Sequence, residues 1–259
     1  MHLTISELIG LAVTFFGIAV LYSSVGFGGG SSYLAILALV FTSFYSVRTT
    51  ALLCNLVVVT GSCYHYYKKG HLNFKQFLPF VLASIPLAYL GASFRLKEDI
   101  FYIILGTTLV ISALALLLQS VQNFKKEEIK KTYPKWLTPI LGGVIGLLSG
   151  LVGIGGGIFL SPTLHHLQWD KAIKIASLAS FFILINSLAG IAGLATSDMF
   201  QLPWREALIL LFAVFIGGQI GIRLSLGKLT GKGIKIITAI LVFAVGVRLL
   251  YQNIVQYFV

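Results

Sequence analysis

The chain has 259 residues, of which 57% are hydrophobic and 10% charged, and its mean hydropathy is +0.93. A soluble domain carries about 25% charged residues, so this composition excludes a water-soluble globular protein and indicates a multi-pass membrane protein. The net charge is +11, but the basic residues cluster in short loops between apolar runs, which is typical of loops facing anionic lipid and not of a nucleic-acid-binding surface.

Apolar runs follow one another along the whole chain. They cover residues 5–22, 31–41, 47–67, 74–94, 100–118, 136–152, 158–167, 173–195, 204–226 and 236–250. Several reach the 17 or more residues that a transmembrane helix needs. The longest polar stretch, at 119–135, carries a series of lysines and divides the chain in two. We therefore predict an all-α integral membrane protein with a first transmembrane repeat at 1–120, a basic cytoplasmic connector at 121–135 and a second repeat at 136–259.

Each half contains one glycine cluster between its first two apolar runs. Residues 26–30 read GFGGG and residues 153–157 read GIGGG. Because glycine is a poor helix former, three in a row should end a helix and leave backbone N–H and C=O groups unpaired. Such groups are costly in hydrocarbon unless protein or a water-filled cavity satisfies them. Two breaks in matching places therefore suggest a ligand.

The spacing of the glycines indicates a duplication. The clusters align at a shift of 127 residues, and Gly61 matches Gly190 at a shift of 129. The positive-inside rule puts loop 68–75 and the connector in the cytoplasm and the loops near Glu98 and Asp198 outside. One hairpin then enters the bilayer from outside and the other from the cytoplasm. We predict two inverted repeats, each a glycine-broken helix hairpin plus three transmembrane helices.

A new helix should begin after each cluster, and the first N–H groups of a helix attract anions. Two such helix starts could meet near the membrane midplane and form a small anion site. The candidate substrate-binding positions in the clusters are Gly26, Gly28, Gly29, Gly30, Ser31, Gly153, Gly155, Gly156 and Gly157. The alternative is that these glycines only allow helices to pack closely.

Polar residues also follow one face of the segment after each hairpin. Arg48, Asn55 and Ser62 are seven residues apart in the first half. A looser stripe in the second half comprises Lys174, Ser177, Ser180 and Ser187. We expect Arg48 at the outer mouth and Lys174 at the inner mouth, where cations suit a route for anions. The alternative is that both side chains only snorkel to the membrane interface.

Several kinds of chemistry find no support in the residue pattern. No Asp or Glu lies deep in an apolar run, where proton-coupled carriers often keep a carboxylate. No set of nucleophile, base and acid is visible, and no ligand cluster for a metal, so we expect neither an enzyme nor a metal or cofactor site. Cys54 and Cys63 fall on opposite faces of one helix, which argues against a disulfide.

The sequences GFGGG at 26–30, KKG at 68–70 and GLVGIGGG at 150–157 resemble the sulfite exporter TauE/SafE family, also called the toluene-sulfonate uptake permease family. The resemblance covers nearly the whole chain and both halves. It implies transport of a small anionic substrate, such as sulfite, thiosulfate or a sulfonate, across a bacterial inner membrane. The family's small polar pair after the hairpin corresponds to Thr49-Thr50 here and more weakly to Ala176-Ser177, which implies a place for Thr49 and Ser177 in the site.

These observations together predict a multi-pass carrier whose partners are a small anion and membrane lipid, with no nucleic acid. Two alternatives remain open from the residues. One is an anion channel that uses the same site, and the other is a non-transport membrane subunit that anchors a partner enzyme.

Overall fold

The computed structural model describes residues 3–24, 26–41, 43–121, 133–225 and 231–258, and the regular elements of these residues are all α-helices. They are α1 (Ile5–Ser24), α2 (Gly30–Val40), α3 (Phe44–Lys68), α4 (Phe74–Ser93), α5 (Glu98–Val121), α6 (Leu137–Val152), α7 (Gly157–His166), α8 (Ala172–Thr196), α9 (Trp204–Ser225) and α10 (Gly231–Phe258). The predicted all-α class is confirmed. Most of the predicted connector at 121–135 lies outside the described residues, as does the segment 226–230 of the basic loop before α10.

Six of the described helices, α1, α3, α4, α5, α8 and α9, are long and apolar enough to cross a membrane. Large apolar side chains are exposed along their outer faces, for example Val13, Leu82 and Phe212. Trp136 and Trp204 are exposed at helix starts, where aromatic side chains favour the membrane–water interface. Length, composition and exterior therefore agree with a multi-pass membrane protein.

Both glycine clusters interrupt the helices. Helix α1 ends at Ser24 before α2 begins at Gly30, and α6 ends at Val152 before α7 begins at Gly157. Helices α2 and α7 have 11 and 10 residues, which corresponds to a length of about 15–17 Å. Neither can cross a hydrocarbon core of about 30 Å alone. The second arm of each hairpin is therefore a half-length helix.

Helices α3 and α8 lie at the centre of the bundle. They are the most buried of the candidate spans, at 67% and 56%, and they pack against each other. Helix α3 also contacts α2 and α9, and α8 contacts α7 and α4. Around them α1 packs on α9, α6 on α4 and α5 on α10. Polar side chains on the inner faces of α3 and α8 are thus shielded from lipid by protein.

Glycines within the helices bring neighbouring backbones together. A Cβ at Gly146 of α6 would lie 2.7 Å from the carbonyl oxygen of Ser84 in α4, and one at Gly217 of α9 would lie 2.5 Å from that of Phe16 in α1. This is the close packing that small residues allow between membrane helices. The cluster glycines differ, because Gly29 and Gly156 precede α2 and α7 with φ of 92° and 82°, a conformation that side-chain-bearing residues avoid.

Candidate functional site

The two glycine breaks meet at a small cavity between α3 and α8. Its walls come from the end of α1, from both breaks and from the two central helices. The lining residues are Tyr22, Phe27, Gly28, Gly29, Gly30, Ser31, Asn55, Ile154, Ile158 and Ile183. The cavity volume is about 10 Å³, roughly the space that one water needs. An oxyanion such as sulfite is larger than this cavity, so its entry requires that the walls move apart.

Asn55 of α3 joins the first break to the second. Its Nδ2 atom donates a hydrogen bond of 2.9 Å to the backbone carbonyl of Ile154. The same side chain packs against Gly28 and Gly30 so closely that a Cβ at either position would overlap it. Asn55 is completely buried, and its Oδ1 atom has no hydrogen-bond partner among the described residues. The side chain therefore holds both breaks together and keeps one polar atom unpaired.

Helix α8 makes the corresponding contacts from the other side. Ser180 Oγ donates to the carbonyl of Gly26 over 2.7 Å. Ile183 packs against the second break, where a Cβ at Gly155 would lie 2.8 Å from Ile183 Cγ2. Ile183 follows Asn55 by 128 residues, close to the shift that relates the two clusters. The second half thus places an isoleucine where the first half has asparagine.

The starts of α2 and α7 present backbone N–H groups near the cavity. Among the described residues no side chain caps either start. The amides of Tyr33 and Leu160 are bonded back to Gly29 O at 3.0 Å and Gly156 O at 3.1 Å, so the amides before them have no acceptor within the helix. Helix N-termini carry partial positive charge and bind anions. The Ser31 hydroxyl lies beside this helix start, 3.4 Å from the hydroxyl of Tyr22.

Arg48 lies against the second break and is completely buried. Its Nη2 atom donates to Gly150 O over 2.8 Å and to Ala92 O over 3.3 Å, at the ends of α6 and α4. Its Nε and Nη1 atoms have no hydrogen-bond partner among the described residues. A Cβ at Gly153 would lie 3.5 Å from Arg48 Cβ. The structure therefore encloses this guanidinium within the protein, and the expectation of an open outer mouth with an interfacial arginine was wrong.

The other predicted side chains have different surroundings. Thr49 is completely buried, and its hydroxyl has no partner among the described residues. Ser177 Oγ donates to the carbonyls of His71 at 3.1 Å and Lys174 at 2.9 Å, which occupies its only hydrogen. Lys174 is partly exposed, and its Nζ lies 3.8 Å from a carboxylate oxygen of Asp170. The structure thus gathers the glycines, Ser31 and Asn55 at the cavity, with Arg48 beside the second break, while the hydroxyl of Ser177 is engaged elsewhere.

Sequence reasoning missed half of the lining residues. Those not predicted are Tyr22, Phe27, Ile154, Ile158 and Ile183. Apart from Tyr22 they are apolar, and a search for anion-binding groups considers only polar side chains and glycine backbone. The duplication carried a usable signal, because applying the shift between the halves to Asn55 points directly to Ile183.

The half-length hairpins, the apolar exterior and the enclosed polar centre define a polytopic membrane transporter. The family described as "Sulfite exporter TauE/SafE" matches residues 11–249. The chain therefore belongs to the TauE/SafE family, which is a family of membrane transporters and not of enzymes, and the resemblance noted in the sequence is confirmed.

Characterised relatives are named at the level of membrane transport. The chain is 34% identical over 250 residues, 95% of its length and 99% of the relative's, to "Probable membrane transporter protein y4hK" of Sinorhizobium fredii. It is 26% identical over 222 residues, 79% of its length and 80% of the relative's, to "Probable membrane transporter protein YunE" of Bacillus subtilis. No solved structure matches the chain.

Proposed function

We propose that this chain is a carrier for a small sulfur-containing anion, such as sulfite, thiosulfate or an organosulfonate, which binds where the two glycine breaks meet. The observation that carries the proposal is the contact between the breaks. Gly30 approaches the second break so closely that a Cβ there would lie 2.6 Å from Ile154 O. Residues from the starts of both α2 and α7 line the same cavity, and uncapped helix starts suit an oxyanion. The sulfur chemistry of the substrate rests on the family description.

We take residues 1–120 and 136–259 to be inverted repeats. The helix pairings support this view, because α1 packs on α9 while α6 packs on α4. These two pairs exchange when the first five helices are matched with the second five. The pairs α3–α8 and α5–α10 match themselves under the same operation. Two repeats related by a two-fold axis produce this exchange, and an axis in the membrane plane follows from the distribution of basic loops.

The proposed substrate contacts fall into three groups. Backbone N–H groups of the breaks, with the Ser31 hydroxyl, would donate to the anion, and Asn55 would position the two breaks. Arg48 would supply positive charge from beside the second break, with Thr49 as its neighbour on α3. The backbone positions are Gly26, Gly28, Gly29, Gly30, Gly153, Gly155, Gly156 and Gly157. We leave Ser177 outside this set because its hydrogen already has carbonyl acceptors.

Access to the site would alternate through movement of two bundles. Helices α1, α3 and α9 pack together, and so do α4, α6 and α8, with α3 against α8 between the bundles. Each bundle contains helices from both halves of the sequence, so the packing favours movement of these bundles and not of the sequence halves. Separation of α3 from α8 would lengthen the Asn55–Ile154 contact and enlarge the cavity. The closed cavity favours a carrier over a permanently open channel.

Counterflow in proteoliposomes tests the proposal. Vesicles loaded with unlabelled sulfite and diluted into radiolabelled sulfite should accumulate label transiently above protein-free vesicles. The variant Gly155→Ala should lose this accumulation, whereas Gly17→Ala, at an open position of α1, should keep it. Large currents without counterflow would assign the chain as a channel. Absence of substrate-dependent uptake would favour the non-transport membrane subunit.

A further inference from the structure

Formal charge is scarce in the interior of the described bundle. Among the described residues only two charged side chains are buried, Arg48 and Glu206. Glu206 lies in the first turn of α9 and has an interaction partner. Arg48 lies within α3 at full burial, and no described carboxylate forms an ion pair with it. Its positive charge is met only by two backbone carbonyls and by the ring of Phe101, whose centroid lies 5.8 Å from Cζ.

The charge belongs to only one of the two breaks. Gly153 of the second break faces Arg48, and the matching Gly26 of the first break faces Ala176, which follows Arg48 by 128 residues. A Cβ at Gly26 would lie 2.7 Å from Ala176 Cβ. The duplication therefore places a cation in one half and a methyl group in the other. A single unpaired cation serves the shared cavity.

A buried unpaired cation is costly, because its hydration is lost and no anion replaces it. An anion in the cavity compensates this cost once. Arg48 and Asn55 are seven residues apart on α3, which is about 10 Å along the helix axis. At an effective dielectric constant of about 20, attraction over that distance changes the affinity for a singly charged ligand by about tenfold.

A second negative charge would have no counterpart. It would lose its hydration in a cavity whose other walls include Phe27, Ile158 and Ile183, and the unpaired Oδ1 of Asn55 would repel it. A neutral ligand of the same shape would not benefit from Arg48 at all. We infer that the site selects singly charged anions, such as hydrogen sulfite and monosulfonates, over dianions and over neutral molecules of similar shape. This inference rests on the proposed function.

A series of small sulfur compounds that differ in charge tests the inference. Dimethyl sulfone is neutral, methanesulfonate carries one negative charge and sulfate carries two, and all three are tetrahedral at sulfur. Titration calorimetry of the purified full chain should give methanesulfonate an affinity about tenfold or more above that of both other compounds. An affinity for sulfate equal to or above that for methanesulfonate would overturn the charge selection.

Variants of Arg48 locate the origin of the selection. In Arg48→Gln the preference for methanesulfonate over dimethyl sulfone should fall by about tenfold, and in Arg48→Lys it should persist. Lys68→Gln, at the exposed end of α3, is the matched control and should keep the preference. An unchanged preference in a folded Arg48→Gln variant would overturn the assignment to Arg48.

Failure of the inference and failure of the proposed function give different results. Binding of sulfite at alkaline pH, where the dianion predominates, without binding of methanesulfonate would overturn the charge selection and leave the anion site intact. Failure of sulfite and of every member of the series to bind would overturn both.

Discussion

Asn55 in the first half of the chain donates a hydrogen bond of 2.9 Å to the backbone carbonyl of Ile154 in the second. This bond crosses from a central helix to the glycine break of the other half. On the opposite side, Ser180 of α8 bonds to Gly26 O over 2.7 Å. Each central helix thus holds the break that belongs to the other half, and this exchange of contacts closes the cavity.

The variant Asn55→Leu tests the role of this bond. Leucine fills a similar volume but leaves the Ile154 carbonyl without its donor, which should lower the free energy of unfolding by about 1–3 kcal/mol. The rise in unfolding temperature on addition of sulfite should also disappear. Thermal unfolding in detergent, with and without sulfite, measures both effects. Thr60→Val, on the exposed side of α3 where the hydroxyl bonds only to Leu56 O, should change neither; retained stabilisation by sulfite in Asn55→Leu would remove Asn55 from the site.

The variant Gly155→Ala tests whether the break requires glycine. Gly155 has φ of 83°, a conformation that costs other residues about 1–2 kcal/mol, and the new Cβ would press on Ile183. The variant should unfold at lower temperature and lose counterflow. Gly17→Ala, inside α1 with no atom within 4 Å of the added Cβ, should be neutral or stabilising by up to about 1 kcal/mol. Equal behaviour of the two variants in both assays would contradict a strained, functional break.

The variant Arg48→Met separates stability from substrate binding. Replacement of a buried unpaired charge by an apolar side chain of similar length is often neutral or stabilising by about 1–4 kcal/mol. The ligand-free variant should therefore unfold at the same temperature as the parent or higher, while uptake of methanesulfonate is lost. Arg95→Met is the control, since Arg95 is exposed and donates to Ser197 O. A strongly destabilised Arg48→Met variant that still transports would give Arg48 a purely structural role.

Disulfide cross-linking tests the movement of the two bundles. Leu52 of α3 contacts Gly190 of α8 across the bundles, whereas Ala19 of α1 contacts Gly217 of α9 within one bundle. In a background without Cys54 and Cys63, a cysteine pair at Leu52 and Gly190 should block counterflow reversibly by reductant. The pair at Ala19 and Gly217 should leave it intact. Full counterflow with the first pair cross-linked would exclude separation of α3 from α8.

Local backbone features could be predicted from the sequence. The apolar runs matched the helices within a few residues, and the breaks fall at the glycine clusters because glycine disfavours helix wherever it occurs in series. Cys54 and Cys63 are free, as their helical spacing predicted. The division into inverted repeats agrees with the helix pairings but stays a proposal.

Contacts between distant segments could not be predicted in the same way. The burial of Arg48 depends on the ends of α4 and α6, more than 40 and 100 residues away along the chain. A pattern within α3 indicates that Arg48 and Asn55 share a face, but not which segment covers that face. For the same reason the cavity contained Ile154 and Ile183 in addition to the polar residues that the sequence suggested.

Anomalous diffraction from crystals soaked in selenite, the selenium analogue of sulfite, tests most directly whether the two glycine breaks bind the anion. The site predicts a selenium peak between the start of α2 and Ile154, beside Asn55, and no such peak in Gly155→Ala. A peak only at exposed basic residues such as Lys68, or none beside the breaks in the parent protein at concentrations that support counterflow, would contradict it.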